Sequence, residues 1–170
     1  MRAIPLTQGQ WALVDDEDYA RISSREWYAR WDRNTRSYYA VRSSHAGNKT
    51  SHCYMAREVL GTPKSVVDHR NHDTLDNRRE NLRLAVNGQN NHNRRLQRNN
   101  TSGFKGVAFH RATGKWRAQI GDGRLNKKKW LGLFDSPADA HAAYLEAAKR
   151  MYGEFACDGT VSFQMESKGE

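Results

Sequence analysis

The sequence predicts an α+β chain: short antiparallel strands and a few helices, in two successive segments joined by a basic tether. Three observations carry this. Aromatic, strand-like runs at 27–31 and 38–42 flank a turn. A short apolar pair, Val66-Val67, is followed by an alternating stretch at 82–86. Three more strand-like runs between 103 and 134 then lead into an alanine-rich helical pattern.

Within residues 1–60, Trp11-Ala12-Leu13-Val14 reads as a strand. The acidic run Asp15-Asp16-Glu17-Asp18 after it reads as a solvated turn. Asp32-Arg33-Asn34-Thr35 has turn chemistry, so the aromatic runs on either side form a hairpin. His52 to Leu60 has helical spacing, with Met55, Val59 and Leu60 apolar, and Gly61-Thr62-Pro63 stops it. Val66-Val67 leads as a strand into Asp68-His69. Leu82, Leu84 and Val86 alternate with Arg83 and Ala85, which marks a second strand. Asn87 is a good N-cap for a helix whose first turn is Gly88-Gln89-Asn90-Asn91. Residues 94–102 are polar and basic and read as a linker, either a plain tether or an Arg-rich segment (Arg94, Arg95, Arg98) lying along a nucleic-acid groove.

In residues 103–156, Lys105 to Phe109, Lys115 to Ile120 and Lys128 to Gly132 are strand-like. Ser136 caps a helix with Pro137 in its first turn. That helix runs through Ala140, Ala143, Tyr144, Ala147 and Ala148 to about Tyr152, and Gly153 closes it. Residues 157–170 form a tail.

Charge narrows the partners. Lys and Arg number 28 against 19 Asp and Glu, a formal net charge of +9. Such an excess favours a polyanion, whose counterions are released on binding. The mean hydropathy of −0.96 and the lack of a membrane-length apolar run argue for a cytoplasmic protein without a membrane partner. The N-terminus lacks the apolar core of a secretory leader. Cys53 and Cys157 form no CxxC pair, so a disulfide framework or a four-cysteine zinc site is not expected.

The stretch 66–93 carries the chemistry. Asp68 and His69 are adjacent; Asn81 follows after eleven residues and Asn90 after eight more. Phosphodiester hydrolysis needs a water nucleophile, a base for its proton and positive charge near the leaving oxygen. This set can supply a base and oxygen ligands for one divalent cation. The stretch resembles the HNH nuclease motif, and its strands and helix resemble that family's ββα-metal unit. The resemblance implies that His69 is the general base and Asn81 orients its ring. It implies Asp68 and Asn90 as metal ligands, with Asn91 and His92 as alternatives to Asn90 set by the motif's register. An all-oxygen pair suits Mg²⁺ or Mn²⁺ better than Zn²⁺. His72 in the loop is expected to face solvent or phosphate. The pattern is similar to homing-type HNH endonucleases of phages and mobile introns.

Residues 103–156 resemble the AP2 DNA-binding domain. The marks are Gly106-Val107, Gly114-Lys115-Trp116, Trp130-Leu131-Gly132-Leu133-Phe134, the alanine-rich helix and Gly153. The chain departs from the AP2 pattern at Lys105, Ala108 and Phe109, where arginines are usual beside the Gly-Val pair, so known AP2 base preferences do not transfer. Trp116, Ala118 and Ile120 share the face toward the helix. Arg117 and Gln119 share the other face, which the resemblance lays in the DNA major groove with Lys105, Arg111, Lys128 and Trp130. Arg and Gln read guanine and adenine edges, and Lys holds phosphate.

The expected architecture is therefore an HNH domain at 1–93, a linker at 94–102, an AP2-like domain at 103–156 with a three-stranded antiparallel sheet packed on one helix, and the tail. The expected function is a Mg²⁺- or Mn²⁺-dependent endonuclease that nicks double-stranded DNA, acting as a monomer or homodimer with no other protein partner evident. The competing expectations are a non-catalytic AP2-like DNA-binding regulator and an RNA-binding protein, the latter explaining the charge but neither motif.

Overall fold

Residues 1–46, 49–86, 93, 96, 99–122 and 127–159 are described by the computed structural model, and they fall into two units, Met1–Ala85 and Val86–Glu170. The chain is α+β throughout, with small antiparallel sheets in both units.

In the first unit, β1 (Arg2–Pro5) pairs with β2 (Trp11–Val14), and α1 (Asp16–Ser23) follows. The acidic run expected to be a solvated turn thus opens a helix. Three carboxylates in the first turn suit the positive end of the helix dipole. Asp18 is buried, and Arg79, distant in sequence, holds it together with the nearby Arg21.

A three-stranded meander follows: β3 (Tyr28–Asp32), β4 (Ser37–Ala46) and β5 (Lys49–Tyr54). The β3–β4 hairpin is the expected one. Asp32 Oδ1 accepts from the backbone of Asn34 at 2.7 Å and Thr35 at 3.1 Å, closing the turn. Helix α2 covers only Met55–Val59, shorter than the helix expected from His52. His52 and Cys53 belong to β5 because they pair with Ser43 and Arg42 of β4. Sheet pairing overrides the helical spacing there.

Strands β6 (Val66–His69) and β7 (Leu82–Ala85) form a separate hairpin, with Asp68 opposite Arg83 and His69 opposite Leu82. Alternation locates β7, but burial does not follow the alternation: Leu82, Arg83 and Ala85 are all buried, whereas Leu84 is 52% exposed. The core of the unit gathers Ile4, Val14, Ile22, Met55, Val59 and Leu82 from β1, β2, α1, α2 and β7. Two strands of the expected ββα unit are therefore present. The helix expected from Asn87 lies outside the described residues, as do Asn90, Asn91, His92, Arg94, Arg95 and Arg98.

In the second unit, β8 (Val107–His110), β9 (Lys115–Asp122) and β10 (Lys127–Phe134) form an antiparallel sheet in the order β10-β9-β8. Helix α3 (Pro137–Tyr152) packs on it. Ser136 caps α3, its Oγ accepting from Asp139 N at 3.1 Å. Ala118 and Ile120 are buried against the helix, and Trp116 packs at the same core. Gly106 is required where the chain enters the sheet. Its φ is +77°, and an added Cβ would fall inside the Tyr144 ring on α3. No helix among the described residues is long and apolar enough to cross a membrane.

Candidate active site and nucleic-acid interface

The site in the first unit is built on the β6–β7 hairpin and the loop between its strands. That loop is closed by Asn81. Its Nδ2 donates to Asp76 O at 2.7 Å, and its Oδ1 accepts from Asn71 N at 3.0 Å. Asp76 is a second staple, accepting from Asn71 Nδ2 and from Arg78 Nε and Nη2. Burial alone would raise the Asp76 carboxyl, but hydrogen bonds and charge from Arg78, with Asn71, outweigh it and hold it below the usual range.

The N-terminal hairpin anchors the loop. Leu13 N donates to Leu75 O, and Asn77 N donates to Leu13 O, each at 2.8 Å. Arg79 reaches back to α1. Its backbone N–H donates to Asp15 Oδ2 at 2.8 Å, and its guanidinium takes both oxygens of Asp18 at 2.7 and 2.9 Å. Burial would raise Asp18; Arg79 and Arg21 together hold it below its ordinary value.

These anchors place Asn77, which is 1% exposed. Its Nδ2 donates to Leu75 O at 3.1 Å, which turns Oδ1 toward His69 Nε2 at 3.3 Å. Nε2 is then the protonated ring nitrogen and Nδ1 the basic one. The role expected of Asn81, orienting the His69 ring, falls instead to Asn77; Asn81 holds the loop backbone. Burial pushes the His69 pKa below 6.5, against the opposing pull of Asn77, Asp68, Asp73 and Asp76. His69 is therefore a neutral imidazole at neutral pH, the form a general base needs. Beside it lies a cavity of about 280 Å³, walled by Tyr39, Tyr54, Arg57, Val67, Thr74 and Asn77. At about 30 Å³ per water, it has room for several waters next to the ring.

Asp68 lies next to His69 on β6, and both are buried. Arg83, directly opposite on β7, donates to Asp68 Oδ2 from Nε at 2.8 Å and from Nη2 at 2.7 Å. The two side chains are 7% and 5% exposed. No group of three or more His, Cys, Asp or Glu among the described residues is arranged to hold a metal. The oxygen of Asp68 has the chemistry of a hard-cation ligand. His72 sits in the loop at φ +63°, partly buried.

In the second unit, the sheet face away from α3 carries Arg117 and Gln119. Gln119 lies opposite Trp130, and Arg117 lies between Ala108 and Leu133. Trp130 is 54% exposed, with His110 edge-on to it at 6.5 Å. Arg111 and Lys128 are exposed, and Arg117 Nε finds no acceptor among the described residues. Lys105 differs from these. Burial lowers its pKa, with Cys157 and Asp158 pulling the other way, so its ammonium lies by the C-terminal segment.

Sequence reading missed Asn77, Arg83 and the Asp18–Arg79 pair. Position in the hairpin register was the available signal for Arg83; Asn77 had none beyond being one of several loop asparagines.

Comparison with known proteins divides along the same lines. Residues 102–154 match the AP2 domain model, and residues 50–92 match an HNH endonuclease model. An ethylene-responsive transcription factor of Medicago truncatula is 42% identical over 65 residues, 38% of this chain and 27% of its own length. A dehydration-responsive element-binding protein of Arabidopsis thaliana is 43% identical over 58 residues, 34% of this chain and 17% of its own. The match thus spans about a quarter or less of these relatives, and they support the AP2 part alone. The chain carries one segment similar to AP2 DNA-binding domains and, before it, one similar to HNH endonucleases.

Proposed function

We propose that this chain is a metal-dependent DNA endonuclease that nicks one strand of a duplex, with its AP2-like sheet supplying target recognition. The observation that carries this reading is His69: a buried, neutral imidazole with its tautomer set by Asn77, next to Asp68, in the segment that matches the HNH endonuclease model. His69 Nδ1 takes the proton of a water as that water attacks the phosphorus, and Asn77 holds the ring as charge develops on it. Asp68, with Asn90, Asn91 or His92, would hold Mg²⁺ or Mn²⁺, which when bound stabilises the leaving oxygen. Asn81 and Asp76 keep the loop in place around the base.

Arg111, Arg117, Gln119, Lys128 and Trp130 form the reading face; Arg94, Arg95 and Arg98 add positive charge along the backbone. One ββα site cuts one strand per encounter, so a monomer nicks and a homodimer could break both strands.

Supercoiled plasmid incubated with the protein and Mg²⁺ should relax to nicked circles, and EDTA should stop this while leaving gel-shift binding in place. Binding without nicking in any divalent cation would overturn the proposal. It would favour the second reading, a non-catalytic DNA-binding protein, which the similarity to an ethylene-responsive transcription factor and to a dehydration-responsive element-binding protein supports.

A further inference from the structure

The β3–β4 hairpin carries positive charge that the fold does not use. Between Trp27 and Ala46, Asp32 is the one acidic residue, against Arg30, Arg33, Arg36 and Arg42. Asp32 is engaged in the turn, its Oδ1 accepting from the Asn34 and Thr35 backbone. Arg42 is half-buried and paired with Glu58 at 2.7 Å. Arg30, Arg33 and Arg36 differ. Each is exposed, and none forms an ion pair among the described residues. Arg36 stands at φ +53°, where glycine or asparagine sits more easily, so local backbone chemistry does not call for an arginine there.

The same hairpin adjoins His69. Arg30 lies opposite Tyr39, so the two share one face of the sheet. Tyr39 and Asp32 both wall the cavity beside His69. Thr74, from the β6–β7 loop, donates through its hydroxyl to Tyr38 O and ties that loop to β4. Two residues of extended chain beyond Asp32 span about 7 Å, and each strand of a duplex presents one phosphate per about 3.4 Å of axis. A strand running from His69 along this face therefore brings its next few phosphates within reach of the hairpin's guanidiniums.

We infer that Arg30, Arg33 and Arg36 form a second DNA-binding surface, which grips the sugar–phosphate backbone a few nucleotides from the cut. Its placement beside the cut rests on the nuclease reading above; the surface itself does not. Phosphate is the occupant because these guanidiniums, without ion-pair partners among the described residues, match a row of single negative charges. Arginine also takes phosphate oxygens in paired hydrogen bonds. Such a contact carries no sequence information. It holds the strand at His69 whatever its bases are, and leaves sequence reading to the AP2-like sheet.

The test is phosphate-ethylation interference with the full chain, in EDTA so that binding alone is read. The probe is a duplex selected for binding from random sequence, with any nick mapped on it separately in Mg²⁺. The variant combines Arg30→Gln, Arg33→Gln and Arg36→Asn. Asparagine accepts a positive φ, and all three side chains are exposed, so its urea midpoint should match wild type. In the wild type, ethylated phosphates beside the nick should block binding. In the variant those positions should no longer interfere, positions elsewhere should persist, and the slope of log affinity against log salt should fall by about two to three. A folded variant with the wild-type interference pattern and slope overturns the inference and leaves the nuclease reading standing. Lost positions far from the nick overturn the placement beside His69. A chain that never nicks, yet loses interference positions in the variant, overturns the nuclease reading and leaves the surface standing. Should the triple variant not fold, Arg33→Gln alone tests the same contact, with a slope change of about one.

Discussion

The two units place their charge in opposite ways. In the first, Asp18, Asp68 and Asp76 are buried, and each is gripped by an arginine: Arg79, Arg83 and Arg78. In the second, Arg111, Lys127, Lys128 and Lys129 stand exposed at the sheet, and ion pairs such as Lys115–Asp135 lie at the surface. A buried carboxylate fixes the geometry of its partner, because leaving it unpaired is costly. Exposed cations fix little but attract phosphate at a distance, and salt screens them. One unit uses charge to hold the loop beside His69 still; the other leaves it exposed to solvent.

Substitutions should separate these uses. The largest effect is expected from His69→Ala, which should slow cleavage by about 10²–10⁴-fold with little change in gel-shift affinity; wild-type nicking by this variant would remove His69 from the mechanism. Asp68→Ala strands Arg83 in the interior and should destabilise the first unit by about 3–5 kcal/mol. Lys128→Ala, on an exposed strand, should change stability by less than about 0.5 kcal/mol. Similar urea midpoints for the two would erase the contrast.

On the reading face, Arg117→Ala should cost about 1–3 kcal/mol and relax sequence preference, while Lys128→Ala should weaken all sequences alike and lower the salt slope by about one. Binding selections on both variants distinguish these outcomes. Asn77→Ala removes one hydrogen bond to the imidazole, worth about 0.5–1.5 kcal/mol, so cleavage should fall about 2- to 10-fold. Asn77→Asp should move the acid limb of the pH–rate profile upward, since a carboxylate beside the ring favours its protonated form. An unmoved limb would argue that Asn77 only holds the loop.

The smallest effect is on stability against pH. Burial lowers the His69 pKa below 6.5, so beneath that value the unfolded chain binds a proton that the folded chain does not. Stability should be complete above pH 6.5 and decline as pH falls below it. Asp18 and Asp76, held below 3.8, contribute a further loss only in stronger acid. A urea midpoint that rises on mild acidification would contradict this assignment.

Local signals in the sequence located much of this. Asp68-His69 closes a strand as the spacing indicated, and the Ser136-Pro137 start and Gly153 stop of α3 are local capping chemistry. The outward face of β9 followed from period-two alternation once Ala118 and Ile120 pointed inward. Contacts between distant residues were not legible. Arg79 meets Asp18 across 61 positions, and Asn77 is placed by a backbone pairing with Leu13. Composition cannot signal either. Arg83 misled for a different reason. Alternation assumes that the buried face is apolar, and here a paired guanidinium takes the place of leucine.

The bridge from Leu13 to the loop has a practical consequence for anyone moving the HNH-like segment onto another DNA reader. The segment that matches the HNH model begins at residue 50, which invites a graft starting there. Such a graft would leave behind the strand that pins Asn77 and the helix that grips Arg79. The transferable cassette is the whole first unit from Met1, together with the chain up to the candidate ligands at 90–92. Conversely, a cut between β2 and β6, with the two pieces supplied on separate carriers, should leave the loop unpinned until the pieces reunite, so that any nicking by the pair would report their reunion.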